Sequence, residues 1–138
     1  MAANFDYYTA VSRHLGWVPR DGQQMLRNHR VAIAGLGGVG GLHLLTLARL
    51  GIGKFRLAEF DRYDLANFNR QVGASMPTLG LCKLNVMAQM ARDIDPELEI
   101  ATFDAGAPAG NAAQFLDGVA VFAPAPACSP FSPPPAAS

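Results

Sequence analysis

Sulfur and histidine chemistry are scarce in this chain. Its 138 residues include two cysteines, Cys82 and Cys128, with no CxxC pair, so neither a disulfide framework nor a zinc site can be argued from them. Free thiols suit a reducing cytosol, and a cytoplasmic location is expected. The three histidines, His14, His29 and His43, lack ligand spacing and read as structural or solvated, so no metal site is assigned to them. No apolar run approaches the roughly 18–20 residues of a membrane span. The opening "MAANFDYYTA" has neither the basic start nor the apolar stretch of a signal peptide. Net charge is absent too: 11 Lys and Arg balance 11 Asp and Glu, so bulk charge calls for neither nucleic acid nor an anionic membrane. The distribution is uneven, with seven basic against two acidic residues in 1–56 and four against nine in 57–138. A basic first half suits either an anionic ligand or a solvated face.

Half the residues are apolar, enough for one core in one domain. Residues 4–29 read as a helical, partly amphipathic arm, broken by Pro19 and Gly22, with Asp21 a helix N-cap. "RVAIAG" (30–35) reads as a buried parallel strand, "VGGLHLLTLARLG" (39–51) as a helix with an apolar stripe at Leu44, Leu47 and Ala48, and Gly51 as its stop. "KFRLAEF" (54–60) reads as a second strand. Together they make a βαβ unit. After a polar loop, 61–79, residues 80–94 read as a helix with Leu81, Leu84, Ala88 and Ala91 on one face, ended by Pro96. "ELEIATF" (97–103) is a third strand, "NAAQFLDG" (111–118) a short helix and "VAVF" (119–122) a fourth strand. The expected fold is α/β: a Rossmann-like parallel sheet flanked by helices over 30–122, preceded by an arm over 1–29. Residues 123–138 hold six prolines and are expected to be a disordered or polyproline tail.

Between the first strand and helix, Gly35, Gly37 and Gly40 fit G-x-G-x-x-G, and Gly38 adds a fourth glycine. Gly35 permits the sharp exit from the strand, Gly37 lets main chain approach a phosphate, and Gly40 lets the helix pack close to the sheet. The helix start offers unpaired N–H groups and partial positive charge to an anion. That end effect is worth about 0.3–1 kcal/mol, up to about 2 when partly buried, so further contacts are needed. Glu59 follows 24 positions after Gly35, close to the spacing of a ribose-hydroxyl acceptor. This much implies ribose and phosphate and does not separate NAD from ATP.

The next segment separates them. Asn67, Arg70 and Gln71 form N-x-x-R-Q, and Lys83 opens the following helix. A dinucleotide oxidoreductase has no general need for this cluster, whereas a triphosphate does: Arg forks onto phosphate oxygens and Lys supplies a compact charge. Each charge-assisted hydrogen bond contributes about 1.5–3 kcal/mol. Asn67 and Gln71 either donate or fix the loop. Asp61 and Asp64 either help hold magnesium or shape the turn. Arg62 could serve a 2′-phosphate, the feature that keeps an NAD(P)-dependent oxidoreductase as an alternative.

"GLGGVGG", "AEFDRYDLANFNRQ", "TLGLCK" and "DIDPELEI" together resemble the ThiF/MoeB/HesA family, the adenylating relatives of ubiquitin-activating enzymes, from about Ser12 to Phe122. The resemblance implies a sheet that binds ATP with Mg2+. It also implies a reaction in which a carboxylate attacks the α-phosphorus to give an acyl-adenylate and pyrophosphate. Gly37, Gly38 and Gly40 would then face the phosphates, with Gly35 shaping the turn. Glu59 would hold the ribose, and Asp61, Asn67, Arg70, Gln71 and Lys83 would complete the site. Arg13 stands at the position of an arginine that reaches ATP, often from a partner subunit, and a homodimer is expected. The acyl substrate could be the C-terminus of a ubiquitin-like carrier protein, a modified tRNA base or a peptide. Two departures stand out. Glu59 replaces the usual Asp, which preserves the carboxylate. The aspartate that follows the family's fourth strand has no counterpart, and Asp117, before that strand, does not inherit its role. Neither does Cys128 qualify as a sulfur carrier, and Cys82 reads as a small core-facing residue. A nucleotide-binding chain without catalysis is therefore the other alternative.

Overall fold

A computed structural model describes residues 3–104 and 112–124. The remainder of the proline-rich tail and Cys128 lie outside the described residues. The helices are α1 (Tyr7–Ala10), α2 (Arg20–Asn28), α3 (Gly38–Leu50), α4 (Lys83–Ile94) and α5 (Ala112–Leu116). The strands are β1 (Arg30–Ala34), β2 (Lys54–Ala58), β3 (Glu99–Phe103) and β4 (Val121–Pro124). All pairings are parallel, in the order β3-β2-β1-β4, so the expected α/β sheet is present.

Its two faces follow from the alternation in β1 and β2. Val31, Ile33, Phe55 and Leu57 pack under α3 and α4 against Leu44, Ala48, Leu84 and Met87. Ala32 and Ala58 face the other way, and their small side chains leave room for Phe115 of α5. That ring meets Phe103 edge-on, with centroids 5.2 Å apart. Because both faces of β1 are covered, it reads as an unbroken apolar run. Gly51 closes α3 in the left-handed region at φ 107, its N–H shared between the Leu47 and Ala48 carbonyls. The chain runs outward from β1 to β3 and returns to β4 on the other side of β1. That reversal creates a crevice at the carboxyl ends of the strands, where open α/β sheets place ligands.

Several boundaries differ from expectation. Gly22 lies inside the first turn of α2 and breaks nothing. Pro19, not Asp21, is the N-cap, because proline presets the backbone entering the helix. The arm also contains a 3-10 turn, Ser12–His14, and Asp6 caps α1 by accepting from the Thr9 N–H. Leu81 precedes α4 and is exposed; Leu84, Ala88 and Ala91 carry the buried face without it. The fourth strand begins at Val121 and continues through Ala123 and Pro124, paired with Ile33 and Ala34. Proline is tolerated there because the strand is an edge among the described residues. No helix among them is long and apolar enough to cross a membrane.

Candidate nucleotide site

The glycine turn leaves β1 at the crevice. Gly35 has φ 94, a conformation that side-chain-bearing residues rarely adopt. Its N–H donates to the Ala58 carbonyl at 2.8 Å, which ties the turn to the end of β2. Gly37 is the N-cap of α3 and gives it no side-chain cap. The first-turn N–H groups, which have no intrahelical partners, therefore lack the usual internal acceptor. Gly40 and Gly41 are buried, and a Cβ at Gly41 would touch Met87 Cε at 3.4 Å. Bare main chain here lets α3 and α4 approach closely.

Glu59 stands just past β2 and is 2% exposed. Its Oε1 accepts from the Leu36 N–H at 3.3 Å and its Oε2 from the Phe60 N–H at 3.2 Å. Burying a carboxylate requires such donors, and they fix it directly against the glycine turn. The sequence spacing that singled out Glu59 thus corresponds to a real juxtaposition.

The loop after β2 reaches the start of α3. A Cβ on Gly38 would lie 3.4 Å from Arg70 Cγ and 3.5 Å from the Arg70 carbonyl oxygen, so the arginine stem runs alongside the helix opening. Its Nη1 donates to the Ala66 carbonyl and to Asn69 Oδ1, both at 3.0 Å, and the side chain is exposed. Asn67 takes the structural option: its Oδ1 accepts from the Asp64 N–H at 2.9 Å, and Asp64 Oδ1 accepts from the Ala66 N–H. This reciprocal cap assigns Asp64 to shaping the turn. Gln71 is buried, with Oε1 lacking a partner among the described residues.

Lys83, at the first position of α4, has a side chain only 5% exposed, and its Nζ lies 3.2 Å from Asp61 Oδ2. The same ammonium stands over the ring of Tyr63, 5.7 Å from its centroid. Tyr63 escaped notice in the sequence because it reads as one more aromatic in a polar loop. It is buried, and its hydroxyl has no hydrogen-bond partner among the described residues. Burial, and secondarily the negative charge of Glu59, push that hydroxyl's pKa up to about 12.

Two expectations do not join this constellation. Arg13 sits exposed on the 3-10 turn of the arm. The arm is pinned at the far end of α3, where the Tyr7 hydroxyl donates to the Gly51 carbonyl at 2.7 Å and Gln23 Nε2 to that of Leu50 at 2.9 Å. A helix of this length spans roughly 20 Å, so within one chain the arm is anchored opposite the glycine turn. A cavity of about 300 Å³, bordered by Val11, His14, Ala48 and Asp95, lies at that same far end. Arg62 is exposed, and its Nη1 donates to the Gly80 carbonyl at 3.1 Å.

Glu59, the uncapped start of α3 and the Arg70 stem are thus brought together, while Lys83 pairs with Asp61 just past β2. Among the described residues no three His, Cys, Asp or Glu side chains cluster, and Asp61 is paired with Lys83.

Known proteins share this arrangement of elements. The model of the ThiF family matches residues 11–125. The tRNA threonylcarbamoyladenosine dehydratase of Bacillus subtilis is 39% identical over 83 residues, which cover 60% of this chain and 33% of that protein. Ubiquitin-like modifier-activating enzyme 5 of Branchiostoma floridae is 39% identical over 82 residues, 59% of this chain and 20% of that one. Among solved structures, the E. coli tRNA N6-threonylcarbamoyladenosine dehydratase TcdA in complex with ATP superposes with a TM-score of 0.83 at 28% identity, covering 91% of this chain and 52% of that one. The chain thus spans about half or less of the length of these relatives.

Proposed function

The chain belongs to the ThiF family, and from that premise we propose that it binds ATP and activates a carboxylate as an acyl-adenylate. The juxtaposition of Glu59 with Gly35–Leu36 supports a site for a ribose and its phosphates, and the Arg70 stem lying beside Gly38 at the start of α3 is the observation that favours ATP over NAD. In this reading Glu59 accepts from the ribose hydroxyls, and the main chain of Gly37, Gly38 and Gly40 faces the phosphates. Arg70 and Lys83 oppose them from the other side. A substrate carboxylate oxygen forms a bond to the α-phosphorus while the bond to the bridging oxygen breaks, and pyrophosphate leaves. Charge moves onto that leaving group, so fixed cations facing it lower the barrier. Asn67 caps the loop that carries Arg70. Mg2+ would arrive on the ATP phosphates.

A second copy of the chain would supply Arg13, since the arm is anchored away from its own glycine turn. Exposed apolar side chains such as Leu42, Leu65 and Met76, together with Trp17 at 93% exposure, support a homodimer. The acyl substrate is a carboxylate of the ubiquitin-like carrier or modified-tRNA type, and the setting is cytoplasmic.

The test is exchange of labelled pyrophosphate into ATP, with calorimetric titration of ATP and NAD. Exchange that depends on an added carboxylate supports the reading. ATP binding without exchange reduces it to a nucleotide-binding domain, and tighter binding of NAD overturns it.

A further inference from the structure

Lys83 carries an ammonium into an almost closed environment, and something must hold it where a phosphate can meet it. Asp61 provides one restraint at 3.2 Å. That carboxylate is 61% exposed, with Oδ1 accepting from the Arg62 N–H at 2.8 Å, so solvent screening weakens its hold on the ammonium. The second restraint is the face of the Tyr63 ring, which attracts a cation through its quadrupole. From these contacts we infer that Tyr63 is a positioning residue for Lys83, orienting the ammonium toward the phosphates of the nucleotide.

The backbone makes the placement rigid. The Tyr63 N–H donates to the Leu81 carbonyl at 3.0 Å, and the Gly80 N–H returns to the Tyr63 carbonyl at 2.9 Å. The Lys83 N–H donates to the Asp61 carbonyl at 3.1 Å, and Arg62 forms an antiparallel bridge with Cys82. Residues 61–63 and 80–83 are therefore strapped together, with ring and ammonium on adjoining segments of one brace. At its far end the ring abuts Gly73: a Cβ there would lie 2.1 Å from the Tyr63 hydroxyl oxygen and 2.9 Å from Met87 Sδ. The ring consequently also props the loop that carries Arg70 and Gln71. The hydroxyl contributes little to this, since it is buried without a partner among the described residues, a state that costs free energy. The ring face is the working part.

This inference rests on the reading of the site as an ATP site, so its test has a ligand-free arm. In that arm, NMR of the full chain without nucleotide follows the Lys83 ε-methylene resonances. They should be displaced upfield by the ring current in the wild type and in Tyr63→Phe, and return toward ordinary values in Tyr63→Leu. Calorimetry then compares ATP with adenosine. Tyr63→Phe should stay within about twofold of wild type, whereas Tyr63→Leu should weaken ATP by roughly fivefold to thirtyfold and leave adenosine within about twofold. If Tyr63→Leu does not fold, Tyr63→Met fills the space without a π face and replaces it. Unchanged ATP affinity in the aliphatic variant overturns the inference. So does an equal loss in Tyr63→Phe, or a loss shared by adenosine. A wild type that binds no ATP refutes the site reading instead, and the Lys83 resonances then decide whether the ring holds the ammonium.

Discussion

Replacing Lys83 by methionine is the most direct probe of the site, because the structure separates its effect on binding from its effect on folding. The lysine stem is buried, and Met keeps most of that apolar volume while deleting the ammonium. The partner left behind, Asp61, is 61% exposed, so solvent screens its lost pairing and the stability change should stay within about 1 kcal/mol. Binding should respond differently. A charge-assisted hydrogen bond to a phosphate is worth about 1.5–3 kcal/mol. At about 1.4 kcal/mol per factor of ten, Lys83→Met should weaken ATP by roughly 10- to 150-fold. Adenosine, which has no phosphate, should bind within about twofold of wild type. Isothermal titration calorimetry of both ligands, with thermal unfolding as control, reads the difference. Equal losses for ATP and adenosine would refute the premise that Lys83 meets phosphate, as would undiminished ATP binding.

Two further substitutions test the scaffold. Gly51→Ala places a Cβ 2.1 Å from Gln23 Nε2 and 2.5 Å from the Tyr7 hydroxyl, on a backbone at φ 107; it should cost at least about 1–3 kcal/mol, read by urea unfolding, and a neutral result would mean that the arm is not clamped to α3. Tyr63 gives a pH signature. Its pKa rises from 10.0 to about 12 on folding, so the unfolded chain loses the proton first and stability falls between pH 10 and 12, by about 1.4 kcal/mol per unit and on the order of 2–3 kcal/mol in full. Alkaline denaturation of Tyr63→Phe should lack this component, and parallel curves for the two proteins would contradict the buried, neutral phenol.

What could be read in advance divides along a physical line. β1, α3 and β2 were visible because their signals are local: an unbroken apolar run, a stripe at helical spacing, and a glycine at each sharp change of direction. Glu59 was visible because a βαβ unit has a nearly fixed length, so a residue 24 positions after Gly35 must end near the turn. Leu81 lies outside the helix because the apolar period continues ahead of the first residue of α4, Lys83, where the Leu81 carbonyl accepts from the Tyr63 N–H. The contacts that organise the cations were hidden for the same reason. Nothing in "FDRY" or "GLCK" announces that Asp61 and Tyr63 flank Lys83, since the two segments meet only when the brace between 61–63 and 80–83 closes. The charged motif therefore named candidate residues by pattern alone, while the uncharged tyrosine between Asp61 and the N-x-x-R-Q run lays its ring face against the Lys83 ammonium. A substitution at Tyr63 would leave every residue of the N-x-x-R-Q and G-x-x-K patterns in place and still alter phosphate binding.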